Sequence, residues 1–228
     1  MGQQAASAGK HLPISPALGD YLARSGTAPD EALLSLLECT RAVGEASGMM
    51  VPIEQAGLLT ILTKLLSATV ALDVGTFTGM SALAIARGLA PGGTVTSCDV
   101  TSSWIEVARR HWELAGVADR IDFKLGPAGR TMRSFDPGSV DLIFVDADKM
   151  NYLDYYRTAV TLLRPGGLLL LDNVLLDGYV LAPELAGDSL MARCASTLRT
   201  VNAELAGDGR LESVMLPIAD GLTIARKL

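Results

Sequence analysis

The sequence predicts a doubly wound α/β sheet of seven strands, mostly parallel, with an antiparallel hairpin at one edge and extra helices on the N-terminal side. Three observations lead there. From Ser67 onward, short apolar runs alternate with helical patterns, which means parallel strands covered on both faces. The last two runs, LESVMLPI and GLTIARKL, meet at the turn Ala219-Asp220-Gly221, so this pair must be antiparallel. Ahead of Ser67 the chain carries three helical patterns.

Composition supports one folded domain. The chain has 228 residues, 49% of them hydrophobic and 19% charged, enough for a substantial core and unlike a disordered segment. A net charge of −6 without a basic patch argues against nucleic acid and suits a cationic ligand or a metal ion. Cys39, Cys98 and Cys194 are widely spaced and odd in number. They read as buried free thiols of a reducing compartment, not as a disulfide framework or a zinc site. The segment MGQQAASAGKHLPIS lacks the apolar core of a secretory signal, and Asp172 and Asn173 interrupt LLLLDNVLL before it could span a bilayer. The expectation is a soluble, cytoplasmic protein without a membrane partner. Residues 1–14 are expected to be loose, with helices over 15–67 and an α/β core over 68–228.

In chain order, the first helix spans Pro16 to Arg24. The second starts at Asp30, an N-cap residue type, and runs through Ala46. The third follows Pro52, which suits a first helical turn, and ends at Leu66. VALDVG is the first strand and SALAIARGLA its helix; GGTVTSCDV is the second strand and SWIEVARRHWELAG its helix. RIDFKLG is the third, followed by a short helix; VDLIFVDA is the fourth, leading into the helix NYLDYYRTAVTLL. GGLLLLDNV is the fifth, and a helix around Ser189 to Leu205 precedes the hairpin.

In such a sheet, ligands sit outside the carboxyl ends of the parallel strands. There the sequence places Asp73, Asp99, Asp146 and Asp172, on the first, second, fourth and fifth strands. Carboxylates are expensive to bury unpaired, and helix capping does not account for all four, so together they call for a function.

The first turn reads Asp73-Val74-Gly75-Thr76-Phe77-Thr78-Gly79-Met80-Ser81. Its glycines let backbone approach a ligand, but the three-glycine fingerprint of a pyrophosphate site is missing. A ligand without phosphates fits better, and S-adenosylmethionine is one; its sulfonium and ammonium give Asp73 an electrostatic role. Asp99, at the end of the second strand, suits the two ribose hydroxyls. The turn alone reads equally well as a plain strand-to-helix turn.

Asp146, Asp172 and Asn173 offer three hard oxygen donors if the fourth and fifth strands are neighbours. That set suits magnesium, or calcium or manganese, better than zinc, because no His or Cys lies in either segment. Taken singly, each residue reads as a cap or turn former. Lys149, three positions after Asp146, is the candidate base, since an amine beside a dication and a sulfonium suits proton removal. The competing reading is a surface lysine paired with Asp146 or Asp148. Asp220 either supports the substrate pocket or simply builds its turn. His11 and His111 read as structural or solvated, and Trp104 and Trp112 as packing residues, with Trp104 near enough to Asp99 to border an adenine.

The segments FVDADKMNYLDYY, RPGGLLLLDNVLLDG and MLPIADGLTIARK, with DVGTFTGMSALAIA at the glycine turn, resemble the metal-dependent O-methyltransferases, the group of caffeoyl-CoA and catechol O-methyltransferases and many small bacterial enzymes. The resemblance covers about Met49 to the C-terminus. It implies a class I, Rossmann-like methyltransferase fold, a homodimer and a phenolic, catechol-like small-molecule acceptor. It further implies that Asp146, Asp172 and Asn173 ligate the metal and that Lys149 is the base beside Asp146. Contacts to S-adenosylmethionine are implied for Val51, Asp73, Gly75, Thr76, Ser81, Asp99, Ala128, Asp146, Asp148 and Tyr155. The family commonly has Glu where Asp73 stands. MMVPIEQAGLL also departs from the family pattern around Glu-Gly-Gln, so Val51 lacks the hydroxyl that Thr or Ser commonly supplies there. Acceptor selectivity is expected from the N-terminal segment and the loop from about Asp177 to Asp188. A metal-independent methyltransferase is the nearest alternative, followed by a nucleotide-dependent oxidoreductase and a non-catalytic scaffold.

Overall fold

The strands of the computed structural model assemble into a seven-stranded sheet of order β3-β2-β1-β4-β5-β7-β6. The structure describes residues 14–228; His11 and, apart from Ile14, the segment expected to be loose lie outside them. In chain order the elements are α1 (Pro16–Ser25), α2 (Glu31–Arg41), α3 (Ile53–Leu65), β1 (Val70–Val74), α4 (Met80–Gly88), β2 (Thr94–Asp99), α5 (Ile105–Leu114), β3 (Ile121–Leu125) and α6 (Ala128–Met132). They continue with β4 (Val140–Val145), α7 (Tyr152–Leu162), β5 (Leu163–Asp172), α8 (Leu190–Ala206), β6 (Leu211–Leu216) and β7 (Leu222–Lys227). Strands β1 to β5 pair in parallel, while β7 is antiparallel to both β5 and β6. The tight turn before β7 therefore reverses one strand, and β6 runs with the parallel set.

Strand β4 shows why the sheet needs cover on both sides. Its side chains alternate with period two. Leu142 and Phe144 join Leu36, Leu59, Leu83 and Trp112 of the helices α2 to α5, whereas Ile143 and Val145 join Met132, Tyr156 and Leu198 of α6 to α8. Burying each such side chain contributes about 1.5–3 kcal/mol. His111, fully buried on α5, bonds through its ring nitrogens to Ser35 Oγ at 3.0 Å and the Val107 carbonyl at 2.7 Å, which ties α5 to α2 in the structural role expected.

Some boundaries differ from expectation. Helix α2 stops at Arg41, because Gly44 turns to φ +85° and a 3-10 turn over Gly44–Met49 follows. Asp30 caps α2 as expected, its carboxylate accepting from Leu33 N at 3.1 Å. Pro52 stands just outside α3 in extended conformation. Strand β5 begins at Leu163, ahead of Pro165-Gly166-Gly167, and its pairing with β4 shifts register between Val140 and Leu142. Cys98 is buried, but Cys39 and Cys194 are only partly so; all three are free. Among the described residues no helix is long and apolar enough to cross a membrane.

Candidate active site

Strand order turns outward from β1 on one side and β4 on the other, which makes their carboxyl ends the switch point where an open α/β sheet binds ligands. The strand exits are zipped together there: Gly75 N donates to Cys98 O at 2.9 Å and Asp146 N to Val74 O at 2.8 Å. A cavity of about 680 Å³ opens above them. Its walls come from the turn after β1, the ends of β2, β4 and β5, the segment before α3 and the hairpin turn at Ala219 and Asp220.

The cavity gathers most of the residues expected for the cofactor. Val51, Gly75, Thr76, Ser81, Asp99, Ala128, Asp146, Asp148 and Tyr155 all line it. Gly75 sits at φ +103°, and a Cβ there would lie 1.9 Å from Asp146 O, so only glycine lets β1 leave the sheet beside β4. Asp99 Oδ2 accepts from Thr76 N at 3.1 Å and Phe77 N at 3.0 Å, while Oδ1 accepts from Thr101 N at 3.0 Å. The carboxylate thus holds the glycine turn in shape and presents its remaining lone pairs to the cavity. Trp104 lies just before α5, packs edge-on against Phe77 with ring centroids 5.7 Å apart, and lines the cavity. Trp112 is buried and donates from Nε1 to Gly79 O at 3.0 Å. Asp148 Oδ1 accepts from Tyr155 OH at 2.6 Å.

Asp73 is the exception. It lies inside β1, opposite Ser97 in the register with β2, and it is fully buried without reaching the cavity wall. Its Oδ2 accepts from Ser97 Oγ at 2.6 Å, and Ser97 Oγ in turn meets Thr76 Oγ1 at 2.7 Å. Oδ1 has no partner among the described residues. Burial, only partly offset by the hydrogen bond from Ser97 and the nearby Ser81 hydroxyl, pushes this carboxyl up to about 7. A proton held more tightly in the folded state makes stability fall as pH rises from about 4 to about 7. Urea unfolding of the ligand-free protein is expected to show that slope. Asp73→Asn should remove a large part of it, on the order of a few kcal/mol; an unchanged slope would refute the assignment to Asp73.

At the other end of the cavity, β4 and β5 bring Asp146, Lys149, Asp172 and Asn173 together. Asp172, the last residue of β5, is 3% exposed. Burial first, and then the negative charge of Asp146, push its carboxyl well above the usual range. Asn173 takes a left-handed backbone at φ +54° and donates its N–H to Asp172 Oδ1 at 2.8 Å. Lys149 Nζ donates to Asp146 Oδ1 at 2.9 Å and to Tyr152 OH at 2.8 Å. The pairing with Asp146 anticipated for a surface lysine does occur, but on a lysine whose side chain is only 15% exposed in the cavity wall.

Two supporting residues were not foreseen. Gln55, fully buried on α3, donates from Nε2 to Asp172 Oδ2 at 2.7 Å. The Tyr152 hydroxyl accepts from Lys149 and lies 3.1 Å from the Val145 carbonyl and 3.0 Å from that of Asp172, within donating reach of both strand ends. Tyr152 stands three residues after Lys149 on one helical turn, a spacing that could have flagged it; the Gln55 contact had no local signal.

Among the described residues no group of three or more His, Cys, Asp and Glu side chains is arranged for a metal ion. Two carboxylates and an amide remain, Asp146, Asp172 and Asn173. This oxygen-only set fits a hard divalent cation that keeps several waters, and a positive ion between Asp146 and Asp172 would offset both the desolvation of Asp172 and its repulsion by Asp146.

Known proteins resemble this chain in sequence and in fold. The family model described as O-methyltransferase matches residues 24–228. The chain is 35% identical over 229 residues to a caffeoyl-CoA O-methyltransferase of Eucalyptus gunnii, covering 96% of this chain and 90% of that protein. It is 37% identical over 215 residues to the catechol O-methyltransferase domain-containing protein 1 of Mus musculus, covering 92% and 80%. The SAH-bound methyltransferase PaMTH1 of Podospora anserina superposes with a TM-score of 0.84 at 27% identity, over 96% of this chain and 99% of that one. With a family model matching most of its length and two relatives 35% and 37% identical over nearly all of it, this chain belongs to the O-methyltransferase family.

Proposed function

We propose that this chain transfers the methyl group of S-adenosylmethionine to a hydroxyl of a small phenolic, catechol-like acceptor held at a divalent cation, magnesium by the character of its donors. The carrying observation is that one cavity joins the glycine turn to the Asp146, Lys149, Asp172 and Asn173 set. The SAH in the Podospora structure supports the choice of methyl donor.

The glycine turn, Asp99 and Trp104 would seat the donor, with Asp148 and Tyr155 on its far side. Asp146, Asp172 and Asn173 would hold the cation, whose chemistry there is to lower the pKa of a phenol and fix its oxygen. Unaided, a phenol with a pKa near that of tyrosine, about 10, is almost wholly protonated at neutral pH. Lys149 Nζ, anchored by Asp146 and Tyr152, would take that proton. As the oxygen–methyl bond forms, the sulfur–methyl bond breaks and its electron pair returns to sulfur. Holding the two reactants in line lowers the barrier further by removing their freedom to diffuse apart.

A homodimer is part of this reading. Helix α1 buries none of its residues and leaves Tyr21 and Leu22 exposed, an apolar surface that a second copy could cover.

The test is methyl transfer to a panel of catechols with magnesium and with excess EDTA. Product that forms with magnesium and disappears on chelation is the expected result. Product that survives chelation would point to the metal-independent alternative and end the cation assignment.

A further inference from the structure

One buried polar contact stands behind the oxygen donors of β4 and β5, and strand alternation decides where it forms. On β5, Leu168 and Leu170 join the core beneath α2 to α5, while Leu169 and Leu171 join the core beneath α6 to α8. The next residue, Asp172, falls by the same alternation on the side of α2 to α5. Its register partner on β7, Leu222, belongs to that core too. Helix α3 lies on this side, and Gln55 in its first turn meets the carboxylate, Nε2 donating to Asp172 Oδ2 at 2.7 Å.

Packing alone does not ask for an amide there. Gln55 is fully buried, and the helix residues Ala56 and Leu59 beside it pack into one apolar core with Met80 and Leu83. An ionised carboxylate only accepts, so the amide must turn its NH2 group toward Asp172. That leaves Oε1 buried without a hydrogen-bond partner among the described residues. An amide unpaired at one end in a dry interior is a poorer core residue than Leu or Met. What it contributes is a fixed donor to one particular carboxylate. Asp172 is then held at both oxygens, at Oδ2 by Gln55 and at Oδ1 by the N–H of Asn173, and each oxygen keeps a lone pair for an ion. Asp146 has its own support in Lys149. Gln55 is the support that the N-terminal helices supply.

We infer that Gln55 is a positioning residue for the cation: it fixes the Asp172 carboxylate from behind, so that removing its amide weakens binding of the ion and leaves the donor site intact. The inference rests on the cation assignment proposed above. Groups that hydrogen-bond to metal ligands orient them, and losing one commonly costs about 10- to 100-fold in metal affinity. Gln55 itself is not among the residues lining the cavity, so it acts through Asp172 and not by touching either reactant.

The test is a titration of the whole chain with manganese, the free ion followed by its paramagnetic resonance, in the absence of donor and acceptor. Gln55→Met keeps the length and the burial but removes the amide, and its dissociation constant for manganese should rise about 10- to 100-fold. Calorimetric binding of SAH in the presence of EDTA should match that of the unaltered protein. Gln55→Asn keeps the amide but falls one methylene short of the contact; it should show the same split, and it serves as the test if the Met variant does not fold. In turnover with catechol, the magnesium concentration giving half the maximal rate should rise by the same factor, and saturating magnesium should restore most of the rate. Unchanged manganese affinity in a folded variant would overturn the inference. So would a loss of SAH binding in step with manganese binding, the mark of a residue that only holds the core together. If the unaltered protein binds no manganese, the cation assignment itself falls, and the role of Gln55 falls with it.

Discussion

Lys149→Met is expected to lower kcat by roughly 10²- to 10⁴-fold, the usual contribution of a positioned base, while binding of S-adenosylmethionine changes little. The lysine sits between Asp146 and Tyr152 with its side chain 15% exposed, so methionine can fill most of its volume. Loss of its partner leaves Asp146 less well compensated, and some loss of stability is expected too. Rate as a function of pH separates the two effects. Without the amine, the reacting phenol must ionise with the cation's help alone, so the variant's rate should climb with pH toward the cation-lowered pKa of that phenol, below its free value of about 10. The unaltered enzyme should depend on pH less steeply over the same range. A variant that keeps more than about a tenth of wild-type kcat, or follows the wild-type pH profile, would remove Lys149 from the chemistry.

Gly75→Ala should cost about 3 kcal/mol or more of stability and abolish donor binding. The residue has φ +103°, where a side chain is strained in any surroundings, and its Cβ would stand 1.9 Å from the carbonyl oxygen of Asp146 and 2.8 Å from its carbon. Those atoms are backbone at the exit of β4, and cannot swing away as the tip of a flexible side chain could. Relief requires β1 and β4 to part where Asp146 N bonds to Val74 O at 2.8 Å, which also shifts Asp146. Gly57 provides the control. On α3 it is exposed, with nothing within 4 Å of a Cβ, so Gly57→Ala should stabilise by about 0.5–1 kcal/mol. Urea midpoints of the two variants should move in opposite directions. A Gly75→Ala midpoint within about 1 kcal/mol of wild type would show that the strand exits are looser than this geometry requires.

Much of the site is legible in the sequence because of where parallel strands put their ends. Once Asp99, Asp146 and Asp172 each close an apolar run, a parallel sheet brings them to one edge without further information. Asp73 looks equivalent in the sequence and is not. It precedes the end of β1, and strand alternation turns it toward Ser97 and into the sheet, where it supports the turn from behind. Helix α2 is shorter than its apolar pattern, which continues past Arg41, and only the conformation of Gly44 stops it.

By itself, then, the sequence determined the order of elements, the parallel sheet with an antiparallel closing pair, the glycine turn and the oxygen donors of β4 and β5. These follow from periodicity and from residues at the ends of local runs, information that a short window carries. Only the tertiary structure decided which groups stand behind them. Gln55 reaches Asp172 across 117 positions of chain, and Asp220 holds the N–H of Asp177 across 43. Tyr152 joins Lys149 to two strand ends at once. A polar group leaves water only when a partner of the right geometry waits for it inside, and that partner is supplied by packing of distant segments, which no local pattern records.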